Sequence, residues 1–185
     1  MRRIRAISDG KFRRILAGTA AAALLAAGGA VAAGPARAAT AEAIVCPVSA
    51  QLTFTPGLRH SPSQQVTETG TGSFSDCQTL GGQPSSRAGS FTVSGSGSAS
   101  CRLPLRKLTQ HITWADGRTS TVALGTARLD LTAFSAFYGP ITAGWGKGAA
   151  ENIVAQVSPD QFRACGKKAG LTSLKFTGAI EFSKI

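Results

Sequence analysis

Apolar and polar residues alternate with a period of two along much of the chain, and this pattern predicts β-strands. The clearest run lies near the C-terminus, where the apolar residues between Leu174 and Phe182 share one face. Residues 48–54 alternate in the same way until Pro56-Gly57, a pair typical of turns. Further alternating runs cover residues 91–103, 141–145 and 153–157. We therefore interpret most of the chain as β-structure.

Two details sharpen this interpretation in the middle of the chain. Asp116-Gly117 separates two alternating runs and is a strong short signal for a β-hairpin. The apolar phase then shifts between Leu124 and Leu129, which predicts a β-bulge near residues 125–128. The Gly/Ser-rich tract at residues 95–100 continues the alternation on both sides, so we predict strand there rather than a linker, with either a bend or another backbone passing close to it.

Two other segments depart from regular alternation. Residues 59–88 are polar and rich in Ser, Thr, Gln and Gly, which favours an edge or surface strand. Ser158-Pro159 followed by Gln161 predicts a short helix with a capping box, which ends near Gly166. Eight or nine short strands separated by turns predict an all-β domain, either an antiparallel Ig-like or related sandwich or a barrel, with one short helix.

The N-terminus has the features of an export signal. A basic segment is followed by an apolar stretch at residues 15–33 and by Ala36-Arg37-Ala38, a small-x-small cleavage motif. The apolar stretch borders on membrane-spanning length, but Ala and Gly dominate it and the cleavage motif follows directly. We predict a signal peptide at residues 1–38, cleavage near Ala38, and a single secreted domain at residues 39–185 without a stable membrane anchor.

Charge changes the picture once the leader is set apart. The whole chain has a formal net charge of +11, but residues 1–38 hold seven of its 20 basic and one of its nine acidic residues. The remaining 147 residues therefore carry a net charge of +5. This charge favours solubility and mild attraction to anionic surfaces. It is too small and too scattered to indicate nucleic-acid binding.

The predicted mature domain contains four cysteines: Cys46, Cys77, Cys101 and Cys165. An even number in an exported domain predicts two disulfide bonds. Three pairings are possible, and we favour Cys46–Cys77 with Cys101–Cys165. A zinc site is the alternative, but no CxxC, HxH or HxxxH spacing supports one. We predict neither a metal nor another cofactor.

Four short motifs give the chain a resemblance to known proteins. They are residues 55–58 (TPGL), 112–117 (ITWADG), 139–144 (GPITAG) and Ala164-Cys165. With them the chain resembles small secreted, four-cysteine, β-rich proteins of actinobacteria, a group to which no activity is assigned. The resemblance implies an extracellular Ig-like or related sandwich. It carries over no catalytic residue.

We find no recognisable catalytic set. No G-x-S-x-G motif joins a strand to a helix, and His60 and His111 have no evident orienting partner. Glycosidase chemistry needs two facing carboxylates. Four carboxylates have no evident structural explanation and form the candidates for such a pair: Glu68, Asp76, Asp130 and Glu151. We predict a protein that is not an enzyme, with a hydrolase that uses an unrecognised carboxylate pair as an alternative.

Two candidate binding surfaces remain. The segment around Phe134, Phe137 and Tyr138 packs three aromatic side chains into five residues, which forms either core or an exposed contact patch. A candidate basic patch for cell-wall polyanions combines two groups of cations that the favoured Cys101–Cys165 bond would bring together: Arg102, Arg106, Lys107, Lys167 and Lys168.

The function we predict is a secreted, non-catalytic binding module. The first hypothesis is a protein-interaction adaptor or a subunit of an extracellular assembly, in which the polar segment at residues 59–88 accepts a partner strand. The alternative is a carbohydrate or cell-wall binding protein that uses the aromatic segment. The partner is therefore an extracellular protein or a cell-wall glycan, and not nucleic acid.

Overall fold

The computed structural model describes residues 43–83, 85–103, 107–129 and 134–184. The predicted signal peptide, Arg106 and Asp130 lie outside the described residues. The strands are, in chain order, β1 (Ile44–Leu58), β2 (Gln64–Phe74), β3 (Gln78–Thr79), β4 (Gly89–Ala99), β5 (Leu108–Trp114), β6 (Thr119–Leu129), β7 (Phe134–Gly144), β8 (Ala150–Val157) and β9 (Leu171–Ser183).

The strands form one antiparallel sheet that closes on itself. Each of the eight long strands pairs with its neighbours in chain order, and the closing pairs are β1 with β9 and β1 with β2. The result is an eight-stranded barrel with β3 added beside the start of β1. Of the two predicted architectures, the barrel describes this closed sheet.

The alternation predicted from the sequence is the alternation between barrel interior and surface. On β1, β2 and β5 the even-numbered residues point inward, whereas on β4 and β8 the odd-numbered residues do so. The buried side chains form one core inside the barrel. Small residues allow neighbouring strands to approach, as predicted for the 95–100 tract: a Cβ atom at Gly95 would lie 2.9 Å from the carbonyl oxygen of Lys107 and 2.6 Å from the Leu108 side chain.

Several local predictions are confirmed. Strands β5 and β6 meet in the hairpin at Asp116-Gly117. The register between β6 and β7 shifts between Thr126 and Arg128, where the phase change predicted a bulge. The disulfide bonds are Cys46–Cys77 and Cys101–Cys165, which is the pairing we favoured.

Other predictions are wrong. Strand β1 does not stop at Pro56-Gly57 but runs to Leu58, with a register irregularity between Thr53 and Leu58. The segment 59–88 does not form an edge strand, because β2 pairs with β1 on one side and with β4 on the other. Its polar appearance arises from outward-facing Ser and Thr residues and from inward-facing Gly70 and Gly72.

The predicted helix is present as a 3₁₀ helix at Pro159–Gly166, with Phe162 and Cys165 buried. It lacks the predicted capping box, since the Ser158 side chain makes no capping hydrogen bond. The Gln161 side chain instead donates to the Lys175 carbonyl oxygen at 2.8 Å and accepts from the Lys175 amide at 2.7 Å. These two hydrogen bonds attach the helix to β9.

Candidate functional site

Antiparallel strands place alternate loops at the two ends of the barrel. One end holds the start of β1, the end of β9 and the loops around residues 75–88, 115–118 and 145–149. The other end holds the loops that follow β1, β4 and β8. The second group contains most of the cations predicted to form a basic patch, so the site is built from these three loops.

The Cys101–Cys165 bond joins two of the loops at this end. It links the residue before Arg102 to the end of the 3₁₀ helix, with a Cα–Cα distance of 6.3 Å. Lys167 and Lys168 follow the helix directly, and the Lys167 amide donates to the Ala164 carbonyl oxygen at 3.0 Å. The disulfide therefore joins the loop that contains Arg102 to the loop that contains the two lysines.

The third loop adds a cation that the sequence analysis missed. The Cys101 amide donates to the Arg59 carbonyl oxygen at 2.8 Å, and the Arg59 guanidinium donates to the carbonyl oxygen of Lys168. Arg59 follows β1, and the antiparallel order of the strands is the signal that could have placed it here. We call Arg59, Arg102, Lys107, Lys167 and Lys168 the basic end.

Among the described residues, the basic end carries little negative charge. Asp160 is the acidic residue in its described loops, and the carboxylate lies 2.9 Å from the Arg163 guanidinium in an exposed ion pair. The five cations of the basic end form no ion pair within the described part of the chain. All five are exposed to solvent. Their charge is therefore directed outward.

The opposite end pairs two of its cations, Arg87 and Arg118, internally. Asp116 accepts hydrogen bonds from Arg118 and lies 3.7 Å from the Arg87 guanidinium. The hydrogen bond from Arg118 is the main reason that the pKa of Asp116 falls to about 2. The guanidinium groups of Arg87 and Arg118 also lie over the Trp145 ring, 4.5 Å and 4.0 Å from its centroid, respectively. These cation–π contacts give the two arginines a structural role at this end of the barrel.

Three of the buried polar side chains among the described residues carry an amide or a carboxyl group. Glu68 on β2, Gln110 on β5 and Glu151 on β8 are 4%, 0% and 1% exposed. Within the described residues, neither the Gln110 amide nor the Glu151 carboxyl has a hydrogen-bond partner of standard geometry. Burial raises the pKa of Glu68 to about 7 and that of Glu151 to about 8, and the nearby Gln110 side chain moderates the shift of Glu151.

These two glutamates belong to the carboxylate candidates predicted from the sequence. Asp76 is exposed. The cavity beside Glu68 measures about 10 Å³ and is otherwise lined by apolar residues such as Phe137 and Phe176. That volume accommodates no more than about one water molecule. In this conformation the buried carboxyls are closed to any polymeric substrate.

Among the described side chains, the predicted aromatic surface is divided between the two faces of a strand. Residues 134–138 belong to β7, and consecutive strand residues point to opposite faces. Phe137 is buried in the barrel and stacks on Phe176 with the ring centroids 6.0 Å apart, whereas Tyr138 points outward and is 56% exposed. The Phe134 side chain lies outside the described residues. Phe137 and Tyr138 therefore cannot share one binding surface.

His60 and His111 are both exposed. Within the described ranges, no three His, Cys, Asp or Glu side chains are grouped to hold a metal ion. The part of the chain that the structure describes also has no helix of the length and apolar character needed to cross a membrane. The two disulfide bonds are typical of proteins that reside in an oxidising environment. The chain matches no protein-family model, no curated protein and no solved structure.

Proposed function

We propose that this protein is a secreted, non-catalytic binding module whose basic end binds an anionic extracellular polymer. The observation that carries the proposal is the joining of three cationic loops by the Cys101–Cys165 bond and the Arg59–Lys168 contact. Phosphate- and carboxylate-bearing wall polymers share the required chemistry, which is a repeated negative charge.

The geometry suits such a ligand for two reasons. The disulfide holds the loops together before binding, so less conformational entropy is lost when the polymer is bound. Arginine side chains such as Arg59 and Arg102 form bidentate contacts with phosphate or carboxylate groups, and the lysines add point charges around them. Because the cations are exposed, their attraction to a polyanion weakens as salt is added.

This proposal replaces the adaptor hypothesis as the function that the geometry supports best. The adaptor hypothesis relied on a free strand edge at residues 59–88, and β2 has neighbours on both sides. A protein partner would have to use some other surface, and no feature of the described loops favours one. The hydrolase alternative has weaker support still, because Glu68 and Glu151 are buried away from solvent.

A pair of matched double variants tests the proposal. Lys167→Gln/Lys168→Gln removes two exposed charges from the basic end, and Lys147→Gln/Lys184→Gln removes two exposed charges from the opposite end. Affinity for polyphosphate and for a polyuronate, two separate probes, is measured over a series of salt concentrations.

We expect the first variant to lose about fivefold in affinity at low salt, from ~0.5 kcal/mol for each exposed ionic contact, and the control to lose little. The difference should shrink as salt rises. A preference for one of the two probes would identify the anionic group. Equal losses in both variants would mean that net charge alone attracts the polymer, and the proposal would then be wrong.

A further inference from the structure

A cleft of about 560 Å³ lies on the outside of the barrel, and none of its lining residues belongs to the basic end. It crosses β8, β9, β1 and the end of β2, and its volume is typical of small-molecule sites. Its lining residues include Pro47, Ser49, Ser73, Val154, Gln156 and Thr177. The proposed function uses none of them.

One wall of the cleft is a row of hydrogen-bonding side chains. The strand registers place Gln156 opposite Thr177, Thr177 opposite Ser49, and Ser49 opposite Ser73. All four are exposed, and neighbouring strands lie ~4.8 Å apart. Each hydroxyl both donates and accepts hydrogen bonds, and the amide adds two donors and an acceptor. The row therefore offers a regular series of neutral hydrogen-bonding groups.

The adjacent row is apolar. Val154 lies opposite Ala179, and Ala179 lies opposite Pro47. Val154 is 42% exposed and is among the few large apolar side chains on the described surface. A ligand in the cleft therefore meets an apolar strip along one side and hydroxyl groups along the other.

The lining residues of the cleft carry no charge. On β9 the nearest charged positions are Lys175 and Glu181, each two residues beyond the lining residues Thr177 and Ala179. A polyanion would gain nothing here from charge complementarity. An extended peptide would lack a strand edge to pair with, because β8, β9 and β1 are hydrogen-bonded on both sides. These features favour a neutral ligand with both C–H and hydroxyl surfaces, which is the chemistry of a sugar chain.

We infer that this cleft binds a short segment of a neutral glycan. Ring C–H groups pack on Val154, Ala179 and Pro47, and sugar hydroxyls hydrogen-bond to the row from Gln156 to Ser73. This site is separate from the basic end and does not depend on the proposed function. A wall polymer with both neutral and anionic parts would engage the two sites together.

The test measures amide chemical-shift changes of the purified, oxidised protein on titration with oligomers of glucose and of N-acetylglucosamine. Thr177→Val/Ser49→Ala removes two hydroxyl groups from the cleft. Thr92→Val/Ser94→Ala removes two equally exposed hydroxyl groups from the outer face of β4 and serves as the control. We expect shifts that centre on the cleft and a loss of about tenfold in affinity for the cleft variant alone, because two hydrogen bonds are removed.

A charged substitution gives a second test. Val154→Asp places a carboxylate on the apolar strip at an exposed position, so it should abolish binding of the neutral oligomers without unfolding the barrel. Lys167→Gln/Lys168→Gln should leave oligomer binding unchanged, which separates failure of this inference from failure of the proposed function. Absence of cleft shifts with both oligomers, or equal losses in the cleft and control variants, would overturn the inference.

Discussion

The two ends of the barrel differ in how their cationic side chains are paired. At the aromatic end, formed around Phe74, Trp114, Trp145 and Phe182, two arginines are held by Asp116 and by the Trp145 ring. At the basic end, loops joined by a disulfide direct their cations to solvent. The number of cations alone does not indicate a binding site, since both ends contain arginine. The difference is that Arg87 and Arg118 share a carboxylate partner, whereas the five cations of the basic end have none among the described residues.

The aromatic end is a structural closure of the barrel. The Trp114 ring meets Trp145 at 4.7 Å, Phe182 at 4.9 Å and Phe74 at 5.3 Å between centroids. The Trp114 indole donates to the Ser120 hydroxyl at 2.8 Å, and that hydroxyl donates to the Trp145 carbonyl oxygen at 2.6 Å. The buried polar groups of this cluster are therefore paired, as a stable core requires.

The largest expected effect is on the stability that this aromatic cluster contributes. Trp114→Ala removes the central ring of the cluster and leaves a cavity, so the free energy of unfolding should fall by ~3–5 kcal/mol. Chemical denaturation measures the change. Polymer affinity of the fraction that remains folded should match that of the wild type. A specific loss of affinity in the folded fraction would show that the aromatic end takes part in binding.

The two disulfide bonds should separate stability from binding. Cys101→Ser/Cys165→Ser and Cys46→Ser/Cys77→Ser remove bonds with sequence separations of 64 and 31 residues. Each loss should lower the free energy of unfolding by ~2–4 kcal/mol, slightly more for the longer loop.

Of the two variants, only Cys101→Ser/Cys165→Ser releases the loops of the basic end. Only that variant should therefore also bind polyphosphate more weakly. Thermal unfolding and binding are measured on both variants under conditions in which both remain folded. Equal affinities in the two variants would contradict the role assigned to the Cys101–Cys165 bond.

Between the two ends, the buried glutamates predict how stability depends on pH. The pKa of Glu68 is about 7 in the folded protein, above its ordinary value of 4.5. The folded state therefore holds the proton more tightly, and the contribution of Glu68 to stability is complete below about pH 4.5 and is lost as the pH rises through about 7. Glu151 acts in the same direction and extends the loss to about pH 8.

Glu68→Gln keeps the shape of the protonated carboxyl and cannot ionise. We expect stability equal to that of the wild type near pH 4.5 and a gain of up to ~3 kcal/mol near pH 8.5. Denaturation curves at several pH values test this expectation. A variant whose stability follows the wild-type pH dependence would show that Glu68 is not the group that titrates.

The smallest expected effect is at the exposed ion pairs of the aromatic end. Asp116→Asn removes the carboxylate that accepts hydrogen bonds from Arg118, but the group is exposed to solvent. Stability should change only slightly, as is usual for exposed pairs. Binding of a polyanion at the basic end should not change. Increased polymer affinity would show that the arginines at this end also attract the ligand when they are released from Asp116.

Sequence patterns predicted the strands more successfully than the closure of the sheet. Alternation shows which residues are covered but not whether a sheet curls onto itself. In β2 the inward positions include Gly70 and Gly72, so the strand resembles a solvated edge. The glutamates illustrate the same limit, because Glu68 shares the inward phase of Val66 and Phe74 but its charge suggests exposure.

The candidate site was predictable in part. The favoured cysteine pairing brought Arg102 toward Lys167 and Lys168, but Arg59 required knowledge of which strand ends meet. The sequence left core and surface open for the aromatic segment, and β7 places Phe137 inside the barrel and Tyr138 outside it. The cleft could not be predicted from the sequence, since its side chains come from two pairs of consecutive strands, β1–β2 and β8–β9, that are about 80 residues apart along the chain.

Protection of lysines from acetylation when polyphosphate is bound, read by mass spectrometry, shows directly which end of the barrel holds the polymer. We expect Lys167 and Lys168 at the basic end to be protected, while Lys147 and Lys184 at the aromatic end react as in the free protein. Equal protection at both ends, or protection confined to the aromatic end, would mean that the basic end is not the binding site.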